Sequence, residues 1–177
     1  TQAHGTQLIF DEVMTGFRLA KGGACEYFGI EADLVCLGKI VGGGFPLAAF
    51  GGRREVMAKL SPSGPVYQAG TLSGNPVAVA AGLATLKQLD ADLYAGLEAR
   101  AAEIEERIKG AVAARGCSMT RVGSMLTIFF REETPTNFTE VSQCDMAAFG
   151  RFHRAVLAAG VYLPPSQYEA AFLPAGL

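Results

Sequence analysis

Apolar residues follow three different rhythms along this chain. Leu8-Ile9-Phe10 is a short unbroken run closed by Asp11-Glu12, and Asp33-Leu34-Val35-Cys36-Leu37-Gly38 repeats that shape and delivers Lys39. Such runs, bounded by polar or turn residues, predict short buried strands. Asp11 and Lys39 then stand at two strand tips. Asn75-Pro76 reads as a helix start, with Asn as N-cap and Pro at the first helical position, and residues 77–89 continue in good helix formers. Beyond Asp92 the rhythm changes again. Leu97, Ala101, Ile104, Ile108 and Val112 recur at 4, 3, 4 and 4 residues, with Glu98, Arg100, Glu103, Glu105, Glu106, Arg107 and Lys109 on the other faces. That pattern predicts an amphipathic helix stopping near Gly116. Residues 122–130 read as a strand, 131–143 as a polar loop, and 145–160 as a third helix. The class is α/β, and the shift near residues 90–92 from uncharged, Gly-rich sequence to densely charged helix sets a boundary between domains 1–90 and 91–177.

Composition narrows the partners. The 177 residues carry 15 Lys or Arg against 17 Asp or Glu, a formal charge of −2, which argues against an electrostatic nucleic-acid binder. Half the residues are apolar and 18% are charged, so the chain has a core to bury and is not disordered. Cys25, Cys36, Cys117 and Cys144 lie at spacings of 11, 81 and 27, with no CxxC pair and no histidine at finger spacing; they read as reduced thiols of a cytosol-like compartment. No metal is expected. Between Lys59 and Lys87 lie 27 uncharged residues, yet Pro62, Pro65 and Pro76 with Gly64, Gly70, Gly74 and Gly82 break any helix that could span a membrane. A stretch this long without charge is expected to be buried, against the chain's own core or another subunit. The opening at Thr1 and the close at Ala175-Gly176-Leu177 read as cut ends, and nothing resembles a signal peptide.

Candidate chemistry gathers at the two strand tips. Lys39 has no charged neighbour from Ile40 through Gly52. Apolar surroundings disfavour an ammonium ion, which is how a lysine becomes nucleophilic enough to condense with a carbonyl; the plainer reading is a lysine that snorkels to water. Gly42-Gly43-Gly44 permits close backbone approach or an anion-binding nest, and equally a tight turn; with the lysine in front of the glycines it is not a nucleotide-binding P-loop. Asp11 alone could be a solvated acid or a helix cap. Together, a carboxylate for a pyridinium nitrogen and a lysine for an aldehyde are what a pyridoxal cofactor most needs. His4 and His153 read as structural or solvated.

Three blocks carry a resemblance. Phe10-Asp11-Glu12-Val13-Met14-Thr15-Gly16-Phe17-Arg18, Leu37-Gly38-Lys39-Ile40-Val41-Gly42-Gly43-Gly44, and Gly64-Pro65-Val66-Tyr67-Gln68-Ala69-Gly70-Thr71-Leu72-Ser73-Gly74-Asn75-Pro76 resemble, in order and spacing, the glutamate-1-semialdehyde 2,1-aminomutase family. The first two blocks are common to class III aminotransferases at large, while the third has the aminomutase form. Residues 164–172 extend the likeness.

The resemblance implies a fold-type I transferase dependent on pyridoxal 5'-phosphate (PLP), present in part: the later part of the large, mainly parallel-sheet domain over 1–90, and most of the small α+β domain over 91–177. It implies that Lys39 bonds PLP and, once freed, shuttles protons; that Asp11 holds the ring nitrogen protonated; and that Val13 packs on the ring. Thr71 with the Gly70 backbone would bind the cofactor phosphate of a neighbouring subunit, so the active sites would be shared in a homodimer. Glu169 would lie near the substrate amino groups, with a surface acid as the other reading. The family reaction starts from the pyridoxamine form (PMP) and converts glutamate 1-semialdehyde to 5-aminolevulinate, a tetrapyrrole precursor, without a second amino acid. The family's phosphate loop, ring-stacking aromatic and substrate-carboxylate arginine have no counterpart among these residues, so the chain by itself is expected to bind cofactor poorly and be inactive. An ordinary class III transaminase and a non-catalytic paralogue are the other readings, and the compartment is cytosol, or plastid stroma in a photosynthetic eukaryote.

Overall fold

The structure, a computed structural model, describes residues 1–176 apart from the side chain of Gln2. The chain divides into two compact units, Thr1–Tyr94 and Ala95–Leu177.

In the first unit the elements are β1 (Ile9–Glu12), α1 (Gly23–Phe28), β2 (Leu34–Leu37), a 3-10 turn over Lys39–Gly42, β3 (Ala49–Gly52), α2 (Arg54–Met57) and α3 (Pro76–Leu86). β1 and β2 are parallel, joined through α1, with Ile9 opposite Leu34 and Glu12 opposite Leu37; β3 returns antiparallel along the other edge of β2. Both expected strands form, but they are not fully buried in this chain. Ile9 is 59% exposed and residues 34–37 are half-buried. The reason is coverage: among the described residues α1 packs on β1, α2 on β3, and α3 chiefly on the 3-10 turn.

Two carboxylates hold the parallel pair in register. At the start of the strands Asp33, 8% exposed, accepts the Leu8 amide at 2.7 Å and pairs with Arg53 at 3.0 Å, tying together the approaches to all three strands. At their far end Glu12 is 1% exposed. Its Oε2 accepts the Thr15 hydroxyl at 2.5 Å and the Ala24 amide at 2.9 Å, while Oε1 accepts the Cys25 amide at 2.7 Å. Burial alone would push this carboxyl up, but those hydrogen bonds together outweigh it and hold the group below the usual glutamate range. Glu12 thereby caps α1 from a distant strand.

Helix α3 starts as expected, with Asn75 Oδ1 accepting the Val77 and Ala78 amides at 3.1 and 3.2 Å and Pro76 following. It ends at Leu86, short of residue 89, because the chain tightens into three-residue bonds, Gln88 N–H to Thr85 O and Leu89 N–H to Leu86 O, before Asp90 starts the next helix. Helix α3 meets the 3-10 turn backbone to backbone. A Cβ on Gly82 would stand 2.2 Å from Val41 O, and one on Gly43 would stand 2.6 Å from Ala81 O. Gly43, at positive φ, therefore serves a tight turn against a helix, the plainer of the two readings of the glycine run.

The second unit holds most of α4 (Ala91–Ala113), then β4 (Ser118–Val122), β5 (Met125–Phe129), α5 (Phe138–Val141), α6 (Met146–Ala158) and β6 (Ala171–Phe172), the strands forming one antiparallel sheet in the order β4-β5-β6. Helix α4 begins at Asp90, whose Oδ1 accepts the Leu93 amide at 2.9 Å, and it buries Leu97 and Ala101 from the expected stripe. Its polar side is not idle. Glu98 and Glu105 each reach Arg121 of β4 at 2.7 Å, pinning helix to sheet. The strand expected over 122–130 forms as β5, within a hairpin that also takes in β4, with Val122 opposite Met125 across Gly123-Ser124. The hairpin's first arm, Ser-Met-Thr-Arg-Val, is too polar to read as buried. Asp145 Oδ1 caps α6 at the Ala148 amide, 2.8 Å away, as the sequence predicts. His153 Nε2 lies 3.1 Å from Leu163 O, a structural contact. All four cysteines are free thiols. Among the described residues no helix is long and apolar enough to cross a membrane, and no cluster of metal-ligating side chains occurs.

Two expectations follow. Glu12→Gln offers a single acceptor oxygen and turns an NH2 toward amides that need acceptors, so it should cost about 2–3 kcal/mol near neutral pH. Because the folded carboxyl is depressed, that stabilisation is complete above the unfolded value of about 4.3 and fades as pH falls through the folded value; denaturant melts of wild type and variant should converge in acid. Gly82→Ala forces α3 away from Val41 and should cost about 2 kcal/mol or more in a urea melt.

Candidate active site

The parallel register decides what meets at the carboxyl edge of the sheet. Asp11 lies opposite Cys36, and Lys39 follows Cys36 by three residues, so both candidate side chains stand at the same ends of adjacent strands. This edge is where ligands bind in open α/β sheets. Val13 lies beside this edge: the nearest atom to a Cβ placed on Gly38 would be Val13 Cγ1, at 3.0 Å, so the valine rests on the backbone just before the lysine.

Lys39 has φ of +49°, a left-handed conformation uncommon for a residue with a side chain. Strain of that kind is held in place by its surroundings and gathers at functional sites. Here the surroundings are Gly38 in extended backbone before it and the turn clamped on α3 after it. Of the two readings of Lys39, desolvated or reaching water, this chain shows the second. The turn carries Val41 and Gly42 inward against α3 and leaves Lys39 exposed. Asp11 is exposed as well; its Oδ1 accepts the Val13 amide at 3.0 Å, and no donor among the described residues occupies Oδ2.

Gly70 and Thr71 lie apart from that edge in sequence and bonding, in an exposed turn before α3 whose hydrogen bonds stay local, Ser73 N–H to Gly70 O at 3.0 Å and Asn75 N–H to Leu72 O at 3.1 Å. Glu169 belongs to the second unit, exposed beside a cleft lined by Leu126, Ile128, Phe130, Phe149 and Phe152. Of the six sequence candidates, the structure brings three together: Asp11, Val13 and Lys39. Glu12 was not among them, and it is the acid that holds the edge in shape. Next to it, burial and then the Glu12 carboxylate push the Cys25 thiol up, so Cys25 stays protonated.

A primary amine, a carboxylate with one oxygen that no donor among the described residues occupies, and a branched apolar side chain near both in the fold fit PLP by the chemistry of the set. The amine suits its aldehyde, the carboxylate its protonated ring nitrogen, and the valine its ring face.

The family model for aminotransferase class III matches residues 1–171. The glutamate-1-semialdehyde 2,1-aminomutase of Sorangium cellulosum (strain So ce56) is 57% identical over 172 residues, which are 96% of this chain and 39% of that protein. The chain thus spans about two fifths of the length of the curated relatives it matches. Among solved structures, an omega-transaminase from Sphaerobacter thermophilus superposes with a TM-score of 0.82 at 31% identity, over 100% of this chain and 41% of that one. A glutamate-1-semialdehyde aminomutase from Pseudomonas aeruginosa PAO1 in complex with PMP gives 0.85 at 25% identity, over 100% and 42%. With one family model taking in nearly all of the sequence and the amine and carboxylate side by side on the expected edge, the chain belongs to the class III aminotransferases.

Proposed function

We propose that the protein carrying this chain converts glutamate 1-semialdehyde, (S)-4-amino-5-oxopentanoate, to 5-aminolevulinate with PLP and PMP as cofactor, supplying tetrapyrrole synthesis. The observation that carries this reading is the pairing of Lys39, held at positive φ, with Asp11 on one sheet edge. The 57% identity to an aminomutase supports the substrate.

Bound PLP or PMP supplies an electron-withdrawing ring that lets a proton leave carbon and an amino group change carbons. Lys39 Nζ would be the nucleophile toward the cofactor carbonyl and, when free, the base that takes a proton from one carbon and returns it to another. Asp11 would accept the hydrogen bond of the protonated ring nitrogen and keep that proton in place. Val13 would pack on the ring. Exposure of both charged groups in this chain supports a site completed by further residues, since catalysis at these groups requires water to be excluded. Gly70 and Thr71 would donate to the cofactor phosphate of a neighbouring subunit in a homodimer, and Glu169 would hold a substrate amino group. On this reading the first unit is the later part of the large domain and the second most of the small one. Free thiols support a reducing compartment, cytosol or plastid stroma.

A second reading, an ordinary class III transaminase, is favoured by the omega-transaminase likeness. The full-length protein loaded with PMP and given glutamate 1-semialdehyde, with no amino donor or 2-oxo acid, decides between them. The aminomutase forms 5-aminolevulinate over many turnovers, and Lys39→Ala should lower that rate by about 10³-fold or more. Product that requires an added oxo acid or amino acid establishes the transaminase. Asp11→Asn should lower kcat by about 10²-fold, read in the same assay with cofactor occupancy followed by absorbance.

A further inference from the structure

β6 pairs with β5 only at Met125 and Leu126, which leaves the far half of that edge of β5 without a strand beside it. Gln167 fills the gap. Its Nε2 donates to Ile128 O at 2.8 Å and its Oε1 accepts the Phe130 amide at 3.3 Å, with the residue 3% exposed. A primary amide is the uncharged side chain that reproduces both the donor and the acceptor of a peptide unit, so Gln167 acts as one more rung of the ladder. Around it the chain closes a turn: the Tyr168 amide donates to Ser166 Oγ at 3.2 Å and the Glu169 amide to Ser166 O at 3.2 Å. The Tyr168 ring stacks on Phe138, centroids 5.3 Å apart and planes 28° from parallel. Glu169 itself is exposed at the mouth of the cleft over β5, and none of the hydrogen bonds recorded among the described residues fixes its carboxylate. Its place is set by its backbone, and the buried anchor of that backbone is Gln167.

We propose that Gln167 is a positioning residue for Glu169: its amide clamp on β5 fixes where the Glu169 carboxylate stands, and so how well that carboxylate holds a substrate amino group. The inference rests on the reading of Glu169 given above. Gln167 touches no substrate, since both ends of its amide are spent on main chain. Loss of the clamp frees the turn to shift along β5 while the apolar contacts of the unit remain.

The test compares Gln167→Met, Glu169→Gln and the double variant in the full-length, PMP-loaded protein with glutamate 1-semialdehyde as the probe. Met keeps the length of the side chain and removes both hydrogen bonds. Gln167→Met is expected to raise KM about fivefold to tenfold, with kcat and cofactor absorbance changed far less, and to add nothing to the KM effect in the Glu169→Gln background. Additive losses in the double variant, or an unchanged KM in Gln167→Met beside a damaging Glu169→Gln, overturn this inference alone. A silent Glu169→Gln overturns the reading of Glu169 and this inference with it. If the methionine variant does not fold, Gln167→Asn, which keeps the amide one methylene short, is read by the same non-additivity.

Discussion

The register between Ile9–Glu12 and Leu34–Leu37 is the constraint on which the candidate site depends. Side chains alternate faces along a strand, so a slip of one residue would put Asp11 out of step with Cys36 and shift it relative to the turn that carries Lys39. Parallel strands this short fix their alignment weakly by themselves. Asp33 and Arg53 secure the beginning of the pair, and Glu12 with the first amides of α1 secures its end. The chemistry is thus set by side chains that take no part in it.

The second unit solves a similar problem with different means. Glu98 and Glu105 converge on Arg121 to hold a long helix to a hairpin, and Gln167 extends a ladder that β6 leaves unfinished. Around Phe130 the contacts are aromatic, with Phe149 and Phe152 of α6 packed on it at centroid distances of 5.9 and 5.4 Å. In both units, long-range polar contacts to main chain decide where a loop begins and apolar contacts decide what it rests on.

Much of this was legible in the sequence wherever the signal is local. Asn75-Pro76 and Asp145 announce helix starts because a cap bonds within its own first turn. The stripe from Leu97 to Val112 declares a helix because one face repeats. Asp11 and Lys39 were legible because a charge closing an apolar run marks a strand tip. What stayed illegible is action at a distance. Glu12 reads as the twin of Asp11, and only the arrival of Ala24 and Cys25 shows it to be a buried cap. β4 hid behind Arg121, which looks like surface until two glutamates from α4 enclose it. The two readings of Lys39 part only in space, where Val41 and Gly42 are the buried residues of the turn and the lysine is left exposed.

The left-handed backbone at Lys39 also bears on how this chain can change. Asn or Gly would occupy that turn at lower conformational cost than any longer side chain, so folding by itself rewards losing the amine. A library of variants screened for thermal resilience alone would therefore drift away from lysine at this position. Where the amine is needed, robustness gained elsewhere must leave that one unfavourable torsion in place.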